Sequence, residues 1–150
     1  SAVTTLPAAI ATGKVLQVLS ASDNTARSTT STSFVTLSNT LSVNITPSAT
    51  SSKIFLIANV GTHASTTNGN PTLTIYRDST NIGNGASGIA GMYYEGGADI
   101  LVSQALSVLD SPSSTSQITY QVYIKANSYS NAHMNPFSEK ATITAMEIAG

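Results

Sequence analysis

The sequence predicts an all-β chain folded as an antiparallel, jelly-roll-like β-sandwich, and three observations predict it. Apolar residues recur with period two in one short segment after another. Turn signals such as Asn39-Thr40, Pro47-Ser48, Asn84-Gly85 and Pro112-Ser113 separate these segments. No window of a dozen residues carries the i, i+3, i+4, i+7 spacing of an amphipathic helix. Many short strands joined by turns indicate a sandwich rather than βαβ units.

The expected layout is an extended N-terminal arm over residues 1–13 and one sandwich over residues 14–150. The arm lacks periodicity. Its apolar residues Leu6, Pro7 and Ile10 are candidate contacts with a neighbouring partner, and a frayed end is the alternative. Strands are expected at Lys14–Ser20, Ser33–Leu37, Thr40–Thr46, Lys53–Gly61, Thr72–Asp78, Ile100–Asp110, Gln117–Ala126 and Ala141–Ala149. Weaker strand signals occur at Gly91–Tyr94 and Ala132–Asn135.

In Thr40–Thr46, Leu41, Val43 and Ile45 alternate with Ser42, Asn44 and Thr46, the pattern of a half-buried strand. The next strand differs. Ile54, Leu56, Ala58 and Val60 share one face, but Phe55 and Ile57 make the other face apolar as well. Such a strand faces the core on one side and a second layer or another subunit on the other. Asn68-Gly69 is the strongest hairpin signal, because both residues tolerate positive φ. In Gln117–Ala126, Ile118, Tyr120, Val122 and Ile124 share a face opposite Thr119, Gln121, Tyr123 and Lys125. The last strand sets Ile143 and Ala145 against Thr142, Thr144, Met146 and Ile148, again apolar on both sides. Phe55, Ile57, Met146 and Ile148 are therefore the candidate oligomer interface. The loops Pro47–Ser51 and Pro112–Ser116 echo each other and read as two similar loops at one end of the sandwich.

Composition narrows the function. Charged residues are 9% of the chain and the formal net charge is −1, against roughly 25% charged residues in ordinary globular domains. About three residues in ten are Ser or Thr, so hydroxyls rather than charges cover the polar faces. The six basic residues are scattered singly, which gives no clustered cations for nucleic acid. No apolar run is long enough to span a membrane as a helix. There is no cysteine, and SAVTTLPAAIATGK has neither a basic n-region nor a long apolar core. A hydroxyl-rich surface without an export signal fits a virion component made in the host cytoplasm and released by lysis, or a fragment of a longer exported protein.

Little in the sequence points to catalysis. His63 and His133 lie far apart, in no HExxH-like spacing, and no GxSxG motif is present. Glu95 and Asp99 flank Gly96-Gly97-Ala98, a pattern better explained by loop solubility than by Ca²⁺ ligation. The run NIGNGASGIAG at Asn81–Gly91 lacks the Lys-Ser/Thr ending of a phosphate loop. The chain is expected to be no enzyme and to need no metal or cofactor. Binding has better support: Tyr93, Tyr94, Tyr129, His133 and Phe137 sit among Asn, Ser and Gly, where aromatic rings stack on sugars or anchor protein contacts.

Several of these motifs together resemble a domain of tailed bacteriophages, of the cyanophage and marine-phage type. They are GKVLQV at Gly13–Val18, the Ser/Thr stretch and SFV over Ser28–Val35, NITPSATSSKI at Asn44–Ile54, LDSP at Leu109–Pro112 running on to Tyr120, and the final ITAMEI. The resemblance spans most of the chain from Gly13, although Thr62–Gly97 follows the pattern poorly. It implies a homotrimeric β-sandwich of the kind found in tail-fibre tips and capsid decoration or cement proteins, and it carries over no catalytic residues. The expected function is capsid decoration, with the major capsid protein or tail components as partners. The alternatives are a tail-fibre tip contacting host surface glycan and a lectin-like module.

Overall fold

The computed structural model describes residues 13–64, 70–94, 99–127 and 131–150. They form strands β1 (Val15–Asp23), β2 (Arg27–Thr29), β3 (Ser42–Ile45), β4 (Lys53–Ala64), β5 (Asn70–Arg77), β6 (Thr80–Asn81), β7 (Ala90–Gly91), β8 (Ile100–Asp110), β9 (Ile118–Asn127), β10 (Ala132–Met134) and β11 (Ala141–Ile148).

The strands form two antiparallel sheets. In sheet A, β1 and β2 lie along one edge, β11 and β10 come next, then β4, with β8 on the far side. In sheet B the order is β3, β9, β5, with β6 and β7 sharing the last position. The chain passes from β1–β2 in sheet A to β3 in sheet B, back to β4, over to β5–β7, back to β8, over to β9 and finally to β10–β11. Each sheet thus has four strand positions, and the connectivity is that of a jelly roll.

Period-two patterning positions the core. Ile54, Leu56, Ala58 and Val60 from β4, Leu106 from β8, and Ile143 and Ala145 from β11 face Val43, Ile45, Leu73, Ile75, Ile118, Tyr120, Val122 and Ile124 of sheet B. Each large side chain so buried contributes roughly 1.5–3 kcal/mol. The loops 46–52 and 111–117 leave the same end of the sandwich, where Ile45 pairs with Ile118 and Ile54 with Asp110.

The strands differ from the expected layout in several places. Ser33–Leu37 is no strand: only Val35 bridges to Ile124, by two backbone hydrogen bonds of 2.9 and 3.0 Å. Gly91–Tyr94 reduces to β7, which ends at Gly91. The short β2 and β6 carry too few residues for alternation to reveal them. Asn68-Gly69 and the arm residues Leu6, Pro7 and Ile10 lie outside the described residues.

One interruption shapes the outer face of sheet A. β11 and β10 pair with successive parts of β4, and the segment 135–140 between them leaves the sheet opposite Gly61. Asn135 and Ser138 take positive φ there, and the Asn135 N–H donates to the Gly61 carbonyl at 2.8 Å. The Glu139 side chain lies against the bare face of Gly61. The edge strand breaks at the same level, between Asp23 and Arg27, where the Asp23 carboxylate accepts hydrogen bonds from Thr25 N–H, Ser38 Oγ and the Arg27 guanidinium.

Candidate functional site

The candidate site is the outer face of sheet A. Register places its outward side chains in rows that cross the sheet. Val18 lies opposite Met146, Met146 opposite Phe55 and Phe55 opposite Leu109, an apolar row from edge to edge. The next row is Ser20, Thr144, Ile57 and Ser107, and beyond it come Ser22, Thr142, Asn59 and Ala105. Val18 and Leu109 are 54% and 52% exposed, while Phe55, Ile57, Met146 and Ile148 are half-buried. Ile148 pairs with Val15 and Lys53 in the row at the end of the face. Leu101, near the opposite end, is also exposed.

The structure therefore brings Phe55, Ile57, Met146 and Ile148 together on one surface. Sequence reasoning missed Val18 and Leu109, which complete the row. The alternation of ILVSQALSVLD carries a signal for Leu109, because Leu101, Ser103, Ala105, Ser107 and Leu109 share its outward face. The row also runs up to β8. That strand is eleven residues long, pairs only with β4 among the described strands, and has no charge before Asp110. A long uncharged edge favours association with another chain.

Sheet B contrasts with this. Phe34 packs edge-on against Tyr76, and Tyr76 stacks on Tyr123 at 3.9 Å. The Lys125 ammonium sits 5.1 Å from the centre of the Phe34 ring. The 82–89 loop closes onto β5, with Ile89 N–H donating to the Leu73 carbonyl at 2.8 Å. The chain thus covers much of this face with its own loops.

At the far end of sheet A, His133 of β10 lies directly opposite His63 of β4, with ring centres 5.3 Å apart. Leu101 flanks His63 and Ser28 flanks His133 in the same row. The His63 Nε2 is 3.7 Å from an Asp99 carboxylate oxygen, and the Phe137 ring centre is 6.4 Å from that of His63. Burial lowers the His133 pKa below 6.5, and a charge on His63 lowers it further, while Asp99 acts in the opposite direction. The sequence separated these histidines by seventy residues, and only the register of β10 on β4 makes them neighbours.

Of the other sequence-predicted aromatics, Phe137 joins the histidines, while Tyr93 and Tyr94 lie elsewhere. Tyr93 is 75% exposed beside Thr72, Ser87 and Asn127, at the margin of sheet B. The Tyr94 N–H donates to Asn70 Oδ1 at 2.7 Å. Phe137 is 73% exposed on the 135–140 segment. Tyr129 and Glu95 lie outside the described residues. Among the described residues, no three His, Asp or Glu side chains are grouped so as to hold a metal ion.

Two acidic sites, one buried and one half-buried, went unnoticed in the sequence. Glu147 accepts from Ser48 N–H at 2.7 Å, Ser48 Oγ at 2.6 Å and Gln17 Nε2 at 2.6 Å. Burial opposes its ionisation, but the bonds from Ser48 and Gln17 outweigh it and bring the pKa from 4.5 down to about 2. Its signal was present, because Glu147 follows Ile143 and Ala145 on the core-side alternation of the last strand. Both Asp110 carboxylate oxygens accept from Arg77 Nη1, at 2.9 and 3.0 Å, and one also accepts from the buried Tyr120 hydroxyl at 2.6 Å. Burial, then this bond to Asp110, pushes the Tyr120 pKa well above its ordinary value. These groups tie strands and loops together away from the outer face of sheet A.

No family model matches this chain, and no curated protein matches it either. Among solved structures, it is similar to the D431N mutant VP2 protein of infectious bursal disease virus in derived T=1 particles. That match has 13% identity and a TM-score of 0.41, covering 89% of this chain and 36% of that one. The structure of infectious bursal disease virus Gx strain matches at 14% identity and a TM-score of 0.38, covering 91% of this chain and 37% of that one. The chain spans little more than a third of the length of these viral proteins, and at such scores the likeness carries no argument about function.

Proposed function

We propose that this chain is a non-enzymatic virion structural protein that assembles as a homotrimer through the outer face of sheet A and decorates a phage capsid. The observation that carries the assembly reading is the row Val18, Met146, Phe55 and Leu109, apolar across the full width of the sheet and continuous with the open edge of β8. A second copy is the occupant that fits, since the rows through Phe55 and Ile57 offer apolar and hydroxyl side chains, with Lys53 at the end of the face and Glu139 and Lys140 apart from those rows, in the groove beside Gly61. The virion assignment and the threefold symmetry rest on the phage motifs from Gly13 to the last strand.

Phe55→Asp tests the assembly. It places a carboxylate in the middle of the row, and the chain should stay folded but sediment as a monomer. Leu56→Asp, one residue on and fully buried, should prevent folding altogether. A Phe55→Asp chain that keeps its oligomer rules this face out. Electron microscopy of intact particles then tests the location, with copies over the shell expected and copies confined to the tail refuting decoration.

A second reading, a tail-fibre tip contacting host glycan, is favoured by the exposed Tyr93 ring beside Thr72, Ser87 and Asn127. Under it, Tyr93→Ala weakens binding of the isolated protein to host polysaccharide.

A further inference from the structure

We propose that assembly through the outer face of sheet A is acid-labile, with His133, paired across the strands with His63, as the group whose protonation loosens it. The inference rests on the assembly reading above.

The two imidazoles are cross-strand neighbours on the same outward face as the apolar row, with ring centres 5.3 Å apart. Exposed apolar side chains surround them, Leu101 on β8 and Phe137 on the 135–140 segment. The charged groups nearby treat the two rings unequally. Asp99, preceding β8, stands 3.7 Å from His63 Nε2 and offers that ring a counter-charge. On the other side, His133 shares a shallow hollow with Arg27 of β2, itself held by Asp23 of β1. The Glu139 carboxylate, on the 135–140 segment, accepts the Phe137 N–H at 3.0 Å, and Lys140 lies beyond it along the groove beside Gly61.

Asp99 thus stands directly against the His63 ring. A proton on His133 meets the His63 ring 5.3 Å away, and among the described residues Asp99 is the carboxylate that acts in its favour. Covering the face with a second subunit removes the water that would otherwise solvate this charge, which raises its cost. Association then favours neutral His133 and releases a proton wherever the free subunit carries one. The sign follows: assembly is complete above the free-subunit pKa of His133 and weakens as pH falls through it. Burial and the His63 charge already set that pKa below 6.5, with Asp99 holding it up.

Sedimentation velocity over a concentration series at pH 7.5 and pH 5.0 tests this, with circular dichroism at both pH values to follow the fold. Wild-type protein should assemble at pH 7.5 and bind itself more weakly at pH 5.0, by up to about tenfold for one unit of pKa difference between free and assembled subunits. His133→Gln should remove most of that pH dependence, read as the ratio of the variant's own association constants at pH 7.5 and pH 5.0. Asp99→Asn should move the transition to lower pH, because it removes the charge that favours protonation. An assembly equally stable at both pH values overturns this inference and leaves the assembly reading standing. So does a His133→Gln chain with the wild-type pH profile, or loss of fold at pH 5.0 in both chains. A wild-type chain that is monomeric at pH 7.5 overturns both readings.

Discussion

Glu147→Gln is the sharpest test of how this sandwich is held together. The residue is 1% exposed, and its carboxylate collects three hydrogen bonds, two from Ser48 and one from Gln17. Gln17 lies in edge strand β1 and Ser48 in the loop leaving β3 of the opposite sheet, so one side chain of β11 joins three segments. Glutamine keeps the shape but replaces one acceptor oxygen with an NH₂ donor. In either orientation, that NH₂ faces a donor from Ser48 or Gln17. A hydrogen bond to a charged group is worth about 1.5–3 kcal/mol, and an unpaired buried donor costs a similar amount. The substitution should therefore destabilise the chain by about 2–4 kcal/mol at neutral pH. For a chain of this size that lowers Tm by roughly 5–15 °C.

The pH dependence is a second readout with a fixed sign. The folded-state pKa of about 2 lies below the ordinary 4.5, so this contribution is fully present above pH 4.5 and is lost as pH falls through 2. A gap of that size corresponds to about 3 kcal/mol. Urea unfolding of both chains at pH 7, 4.5, 3 and 2 measures it. Asp23, whose pKa hydrogen bonds from Ser38, Thr25 and Arg27 lower against the effect of burial, titrates in both chains alike. The difference between the two curves therefore reports Glu147. Equal stability at pH 7, or parallel loss in both chains on acidification, would refute the reasoning.

Two further substitutions test the interior. Tyr120→Phe removes the hydroxyl that donates to Asp110 at 2.6 Å. It should cost about 1.5–3 kcal/mol in chemical denaturation, and a change under about 0.5 kcal/mol would mean that Arg77 alone satisfies Asp110. Gly88 has a φ of 63° and a Cβ there would come within 2.4 Å of the Leu73 carbonyl oxygen. Gly88→Ala should lower Tm, with about 1–3 kcal/mol of backbone strain plus the displaced loop. Gly85→Ala, where nothing lies within 4 Å, should leave Tm near wild type, and equal Tm values for both variants would refute the steric account.

The amino-acid sequence by itself determined the secondary structure type and which residues face inward. Alternation of the kind seen in Lys53–Gly61 and Gln117–Ala126 is a local property. Period two assigns each side chain to a face without reference to any partner, and the buried residues of β4 and β9 match that assignment. The same alternation marked Phe55, Ile57, Met146 and Ile148 as apolar on the wrong face for a lone sheet. It failed at Ser33–Leu37, where Phe34 and Val35 serve tertiary contacts with Tyr76 and Ile124 rather than a full ladder. It also failed at Glu147, where the pattern registered a face but not the donors waiting there.

Only the tertiary structure decided which residues become neighbours across that outer face. Strand order and register are long-range choices, made when β11 inserts between β1 and β4 and when β10 continues its line. Those pairings align Val18, Met146, Phe55 and Leu109, and they bring His63 to His133. Nothing local specifies them, because each strand would alternate identically beside any partner. They are set by the burial that one register achieves for both sheets at once.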